Sequence, residues 1–504
     1  MSTPTPAPPD SSPALPPMPR SWRIGLAVGV VLLAGLAYLS RDVIGPRGQA
    51  FVGVLCFVGI VAACSQNLRA VNWRTVGFGI VLQVALALFI LKLELPGRPE
   101  SMSLGTWLQH AVTLKATAAP AWRPGYELFE GIGSIIRKFL DFSLNGAKFV
   151  FGPLADVPTM SGVFPQGGFV FAFVALPTII FVSSFFTVLY YLGILPWVVR
   201  VTARGMIRLM RTSGAETLSA VANVFMGQTE APLIVRPYVA RMTSSELLAL
   251  MVGGMATISG GLMAVFIQMG ADPVAILATS VMAAPCGLYL AKIMLPETGQ
   301  PETLRGDVQQ VERTHRNVID AAAEGASEGL KLALNVAAML IAFLAFIALF
   351  DAIAGGTKPL LLSLGVPAGW LSFWPDDLSL ATLFSWVFAP AAFLMGAASS
   401  DVGPLADLLG TKLVANEFVA FVKLTTPGDA DGYRDVLSPR GYLLAVYALT
   451  GFANLSSIGI QLGGIGAMAP ERRPDLAALG GRALLVGFLA TMINAAIAGL
   501  LMAP

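Results

Sequence analysis

The chain has 504 residues, 55% of them hydrophobic and only 12% charged, and its mean hydropathy is +0.72. A soluble domain carries about 25% charged residues, so this composition excludes an ordinary soluble enzyme, a nucleic-acid binder and a disordered chain. Thirty-two Lys and Arg against 30 Asp and Glu leave a net charge of +2, too little for a global field that would hold a polyanion.

The apolar runs are long and continuous, whereas a β-barrel would read as short alternating segments. The expected class is therefore an all-α polytopic membrane protein. Residues 1–20 hold eight prolines, three serines and one acid, a disordered tail. Trp22 to Ser40 is the first apolar span. It reads as a retained helix rather than a signal peptide, because no small-residue cleavage site follows it. Spans of about 20 apolar residues follow near 51–67, 76–93, 168–194, 246–270, 273–295, 328–354, 440–463 and 478–502, which predicts about nine transmembrane helices. Residues 21–165 then form N-terminal helices and scaffold, with a polar, partly amphipathic segment at 94–167. A first repeat covers 166–296, a cytoplasmic loop 297–325 and a second repeat 326–504.

Orientation follows from Lys and Arg near span ends. The segment Ser65–Arg74 carries Arg69 and Arg74, and Arg472 and Arg473 follow the penultimate span. Arg200, Arg204, Arg208 and Arg211 are spaced four, four and three apart, one face of a surface helix. Placing all three groups inside puts the N-terminus in the cytoplasm and the C-terminus outside.

Two segments are too interrupted to span and too apolar for ordinary loops: 213–239 and about 383–424. Each precedes a span broken by small polar residues, Thr257-Ile258-Ser259-Gly260-Gly261 and Asn454-Leu455-Ser456-Ser457. With nine crossings the two segments enter from opposite faces. Re-entrant hairpins within inverted repeats that contain broken helices describe a secondary transporter with a mid-membrane site.

The first hairpin carries Asn223 and the run Gln228-Thr229-Glu230 between Gly227 and Pro232; the second carries Glu417. Intramembrane carboxylates are costly and mark function, unless Glu230 merely pairs with Arg236 and Glu417 with Lys412. Asn454 and Ser457 share one helical face, with Phe452 just before them. Amide, hydroxyl and freed carbonyl oxygens around Thr257 suit Na⁺ better than a transition metal. Cys56, Cys64 and Cys286 lie in apolar stretches, and His110 and His315 are far apart in polar ones. An intramembrane enzyme, which needs a nucleophile–base pair or a metal cluster, is thereby disfavoured. The inventory suits a ligand rich in hydroxyl and amide groups and without strong charge.

At this point the sequence resembles the concentrative nucleoside transporter family. The runs that carry the resemblance are Gly227-Gln-Thr-Glu-Ala-Pro-Leu-Ile-Val-Arg-Pro-Tyr238, Gly410-Thr-Lys-Leu-Val-Ala-Asn-Glu-Phe-Val-Ala-Phe421 and Gly451-Phe-Ala-Asn-Leu-Ser-Ser-Ile458. The likeness extends from about Val52 to the C-terminus. It implies a homotrimer in the bacterial inner membrane that imports nucleosides with Na⁺ and does not bind nucleic acid. By motif position, Gln228, Thr229 and Glu230 would face the base and Leu262 would pack on it. Glu417, Asn454 and Ser457 would hold the ribose, with Phe452 beside it. Asn223, Thr257 and the carbonyls of Met226, Thr257 and Ile258 would bind Na⁺. Proton coupling, and transport of another neutral polar solute such as a nucleobase, are the alternative readings. The first span and the proline-rich tail are additions over the shorter bacterial members, and Met226 and Leu262 stand where smaller aliphatics are usual.

Overall fold

A computed structural model describes residues 18–96, 121–164, 170–304, 315–371, 375, 378–428 and 432–503. The tail at 1–17, His110 and loop residues 305–314 lie outside the described residues. Among the described residues, helices account for nearly all regular structure, and one β-bridge joins Leu95 to Trp122. The order begins α1 Arg20–Leu39, α2 Arg41–Ala63, α3 Trp73–Leu91, α4 Pro124–Phe151, α5 Val157–Val163, α6 Phe171–Tyr191 and α7 Ile194–Met210. It continues with α8 Gly214–Ala222, α9 Ser244–Ala256, α10 Gly260–Gln268, α11 Pro273–Met294 and α12 Val318–Ser363. The last six are α13 Leu380–Leu394, α14 Val402–Val414, α15 Glu417–Thr425, α16 Pro439–Leu449, α17 Leu455–Met468 and α18 Arg473–Leu501.

Among the described residues, eight helical segments are long and apolar enough to cross a membrane, counting α9 and α10 as one. The expected span at 440–463 is broken into two short helices, α16 and α17, at Thr450–Asn454, each too short to enter that count alone. Asn454 starts α17 by accepting the Ser457 N–H at 2.9 Å, a side-chain cap that competes with helix continuation. The expected loop 297–325 ends sooner, because Asn317 caps α12 through the Asp320 N–H. Asp320, Glu324, Glu328 and Lys331 lower hydropathy without breaking a helix, so α12 runs for 46 residues, about 69 Å at 1.5 Å per residue. The expected hairpin at 383–424 separates into α13 and a tighter helical pair, α14 and α15, that turns at Ala415–Asn416. Within the polar segment anticipated before residue 167, α4 is a 28-residue helix with Pro124 at its first turn.

Helices α9, α10, α11 and α18 are buried along most of their length, whereas α1 and α12 are largely exposed. Polar side chains tie this centre together, as buried hydrogen bonds do between membrane helices. Gln83 of α3 donates to Asn494 of α18 at 2.6 Å and accepts from Tyr289 of α11 at 2.9 Å. Helix α12 docks on α6 through Gly325 and Gly329. A Cβ at either position would come within 2.7 Å of α6 backbone, so the small residues permit the approach. On α7, Leu195, Val199, Ala203, Met206 and Met210 face inward, while Arg204, Arg208 and Arg211 are exposed.

Candidate functional site

Two helix starts lie side by side at the base of the first hairpin. Ser213 and Glu216 form a capping box on α8, and Thr243 and Glu246 form one on α9. Ser213 Oγ also donates to Glu246 at 2.5 Å. Lys292, at the end of α11, reaches Glu216 at 2.7 Å, Glu297 at 3.2 Å and Ser245 Oγ at 2.9 Å. Each buried charge thus has a partner, the condition for tolerating it. The network fixes α8 against α9 at one end and leaves their other ends to form the site.

There α8 stops and the chain from Asn223 to Glu230 is irregular. The broken helix resumes beside it: the Gly260 N–H donates to the Phe225 carbonyl at 3.0 Å, and Ser259 Oγ caps α10 by accepting the Leu262 N–H. The two helix breaks are bonded to each other, because the Phe452 N–H donates to the Thr257 carbonyl at 3.0 Å.

Asn223 is fully buried. Its Nδ2 donates to the Ser219 carbonyl at 3.0 Å, but its Oδ1 and the Ser219 Oγ lack hydrogen-bond partners. Thr257 Oγ1 donates to the Gly253 carbonyl at 2.9 Å, and Asn223 approaches the same glycine so closely that a Cβ there would lie 3.1 Å from Nδ2. The structure therefore brings Asn223 and Thr257 to one spot and leaves a buried oxygen unmet there. An orphaned acceptor of this kind fits a hard monovalent cation. The Thr257 carbonyl uses one lone pair on Phe452 and keeps another. Ile258 is fully buried and Met226 half-buried.

A buried chain of polar side chains crosses from the first hairpin to the second. Gln228 Nε2 donates to Ser457 Oγ at 3.2 Å. Ser457 lies on α17, whose cap Asn454 donates from Nδ2 to Glu417 Oε2 at 2.8 Å. Glu417 opens α15, where Phe418 packs on Phe171 and Phe266, and Phe421 stacks on Phe266 at 4.0 Å. Lys412 does not pair with Glu417; it donates to the Ala448 carbonyl and Thr491 Oγ1. Glu230 does not pair with Arg236 either, and accepts the Gly227 N–H at 3.1 Å.

Sequence reasoning missed Gln461. Its Nε2 donates to the Met251 carbonyl at 2.9 Å and to Gln228 Oε1 at 3.3 Å, while its own Oε1 has no partner. The signal was present: Asn454, Ser457 and Gln461 fall at helical spacing on one face. Gly254 makes room for this contact, since a Cβ there would meet Gln228 and Gln461 at 2.8 Å.

A cavity of about 430 Å³ opens at the hairpin tip. Of the expected site residues, Met226, Thr229 and Glu230 line it, along with Ser259 and Gly261. Gln228, Leu262, Glu417, Phe452, Asn454 and Ser457 lie buried in the adjoining lattice. Thr229 also abuts α17, where a Cβ on Gly464 would meet its methyl group at 2.8 Å.

Three family models match consecutive parts of the chain: "Na+ dependent nucleoside transporter N-terminus" at residues 52–98, "Nucleoside recognition" at 172–273 and "Na+ dependent nucleoside transporter C-terminus" at 275–499. The chain belongs to the concentrative nucleoside transporter family. It is 38% identical over 497 residues to sodium/nucleoside cotransporter 1 of Mus musculus, covering 94% of this chain and 68% of that one. It is equally identical over 456 residues to an uncharacterized transporter of Haemophilus influenzae, covering 90% and 97% of the two chains. Among solved structures, CNTnw in an inward-facing substrate-bound state aligns with a TM-score of 0.75 at 38% identity, over 90% of this chain and 97% of that one. As a member of this family the chain is a sodium-coupled nucleoside symporter of the membrane, not an enzyme.

Proposed function

We propose that the chain imports nucleosides, with the base read at the first hairpin tip and the ribose held between α17 and the second hairpin. The observation that carries this reading is the buried line Gln228–Ser457 and Asn454–Glu417. In an apolar bundle, such polar groups are expensive unless they serve a ligand. Thr229 and Glu230 supply hydrogen-bonding groups facing the cavity, and Leu262, with Phe452 across the break, supplies apolar wall. Glu417 accepts from sugar hydroxyls, a charge-assisted bond that a nucleobase without ribose does not offer.

Na⁺ is the co-transported ion in this proposal. Asn223 Oδ1, Thr257 and the carbonyls of Met226, Thr257 and Ile258 are its ligands, and the unmet Asn223 oxygen supports the placement. Ion binding there fixes the first hairpin against the broken helix and so completes the base-reading half. Proton coupling would need a titratable group at this spot, and Asn223 and Thr257 are neither.

The protein works as a homotrimer surrounded by lipid in the bacterial inner membrane. Support comes from the exposed apolar face of α12, with Ile341, Phe346, Leu349 and Ile353. The N-terminus is cytoplasmic and the C-terminus outside, on the strength of the arginine distribution. The test is uptake of labelled uridine, adenosine and thymidine into proteoliposomes under an inward Na⁺ gradient and in choline. Concentrative uptake that needs Na⁺, and that excess uracil does not compete, is expected. Equal uptake in choline driven by a proton gradient would refute Na⁺ coupling.

A further inference from the structure

A second cavity, of about 760 Å³, lies at the opposite ends of several of these helices. Helix α3 ends there at Leu91 and Lys92, and α18 ends there at Leu501. Three helices begin at it: α4 at Pro124 beside Arg123, α11 at Pro273 and α16 at Pro439. Helix starts carry partial positive charge and spare N–H groups. The charged side chains of the lining are Lys92, Arg123 and Arg440 against Asp272, and with Glu94 ion-paired to Arg123 at 3.7 Å one positive charge is left in excess.

The two unmet side-chain groups here, the Arg123 Nε and the Tyr447 hydroxyl, can both donate a hydrogen bond. Tyr447 lines the cavity with 1% exposure, and its hydroxyl has no partner. Arg123 donates from Nη2 to the Leu91 carbonyl, but its buried Nε has no hydrogen-bond partner, with Glu94 at 3.7 Å beyond hydrogen-bond reach. Lys92 is exposed and, among the described residues, makes no ion pair. Arg440 by contrast spends its donors on the carbonyls of Gly396, Gly499 and Ala503. Asp272 caps α11 by accepting the Ala275 N–H at 2.7 Å.

We propose that this cavity is a binding site, separate from the nucleoside site, for a phosphate group held by Lys92, Arg123 and Tyr447. A phosphate diester offers only acceptors and carries the opposite charge, matching both the unmet donors and the excess charge. The apolar walls, which include Leu91, Leu443 and Met502, suit the glycerol and first methylenes of a phospholipid whose headgroup sits at the helix ends. Basic pockets between membrane helices bind lipid headgroups in this manner. Free phosphate has the same recognition chemistry without using those walls.

The experiment uses the full-length protein purified in a neutral detergent. Thermal unfolding is titrated with inorganic phosphate and, separately, with phosphatidylglycerol, each against chloride at equal ionic strength. Lys92→Gln and Tyr447→Phe are compared with the unsubstituted protein; both positions lie outside the transport site, so Na⁺-dependent uptake reports on their folding. We expect saturable stabilisation by phosphatidylglycerol and binding about tenfold weaker in the double variant. Stabilisation by inorganic phosphate that the two substitutions weaken equally would also support a phosphate site and would name the free anion as its source. No stabilisation by either probe beyond chloride, or equal binding in the folded double variant, overturns the proposal.

Discussion

Replacing Asn223 separates ion binding from folding. The side chain contributes one hydrogen bond, to the Ser219 carbonyl, worth about 1 kcal/mol. It also buries an oxygen with no partner, at a cost of about 1–3 kcal/mol. In Asn223→Ala both disappear, so stability in the absence of Na⁺ should change by no more than about 1–2 kcal/mol. The effect of the ion should change far more. At a Na⁺ concentration 100-fold above its dissociation constant, binding stabilises the folded protein by about 2.7 kcal/mol, and the variant forfeits most of this. The assay is thermal unfolding of purified protein in NaCl and in choline chloride at constant pH and ionic strength. The unsubstituted protein should unfold at a higher temperature in Na⁺; the variant should unfold at nearly the same temperature in both, close to the unsubstituted protein in choline. A Na⁺-dependent shift that persists undiminished in Asn223→Ala refutes the assignment of this oxygen to the ion.

Glu417→Gln keeps the shape of the Asn454 contact and loses a charge-assisted acceptor worth about 1.5–3 kcal/mol. The uridine concentration for half-maximal uptake should therefore rise by about 10- to 150-fold with normal protein yield, as measured in proteoliposomes. Gln461→Met removes the tie between α17 and Gln228 and should shift competition among uridine, cytidine and adenosine, with unchanged competition placing Gln461 outside base recognition. Lys292→Met leaves Glu216 buried without its cation, and the loss of one buried partner, about 3–5 kcal/mol, should appear as a lower unfolding temperature and reduced yield. In a background lacking Cys56, Cys64 and Cys286, an impermeant thiol reagent added to intact cells should label Ala503→Cys and spare Arg208→Cys; the reverse pattern inverts the proposed orientation.

Composition and hydropathy were enough to read the helical membrane class, because bilayer thickness imposes a span length that local sequence records directly. They served less well where polarity and helix formation part company. Asp320 and Glu324 end a hydropathy window but not α12, and the apolar run through Leu449 conceals a break that depends on the Asn454 cap. Motifs pointed to the hairpin tips and helix breaks as segments that matter. They could not show that Gln228 meets Ser457 across 229 positions of sequence, nor that the opening at the first tip is lined by Thr229 and Glu230 while Gln228 is turned into the lattice. Gln461 escaped notice because a lone amide in an apolar helix is ordinary until its partners are known. The base network of Lys292 was equally hidden: its three partners come from positions 216, 245 and 297, and only folding brings them together.

The backbone bond from Phe452 to Thr257 has a thermodynamic corollary. It joins the residue proposed to offer a carbonyl to Na⁺ with the one proposed to flank the ribose, so displacement of either strand is felt by the other. Free energies of ligand binding that share such a contact are reciprocal: whatever factor Na⁺ adds to nucleoside affinity, the nucleoside must add to Na⁺ affinity. Where that factor exceeds one, the half-loaded states are disfavoured relative to the empty and fully loaded ones. A carrier that cycles mainly through those two states dissipates little of its ion gradient, and under the proposed assignments a single hydrogen bond between two interrupted helices would contribute to that economy.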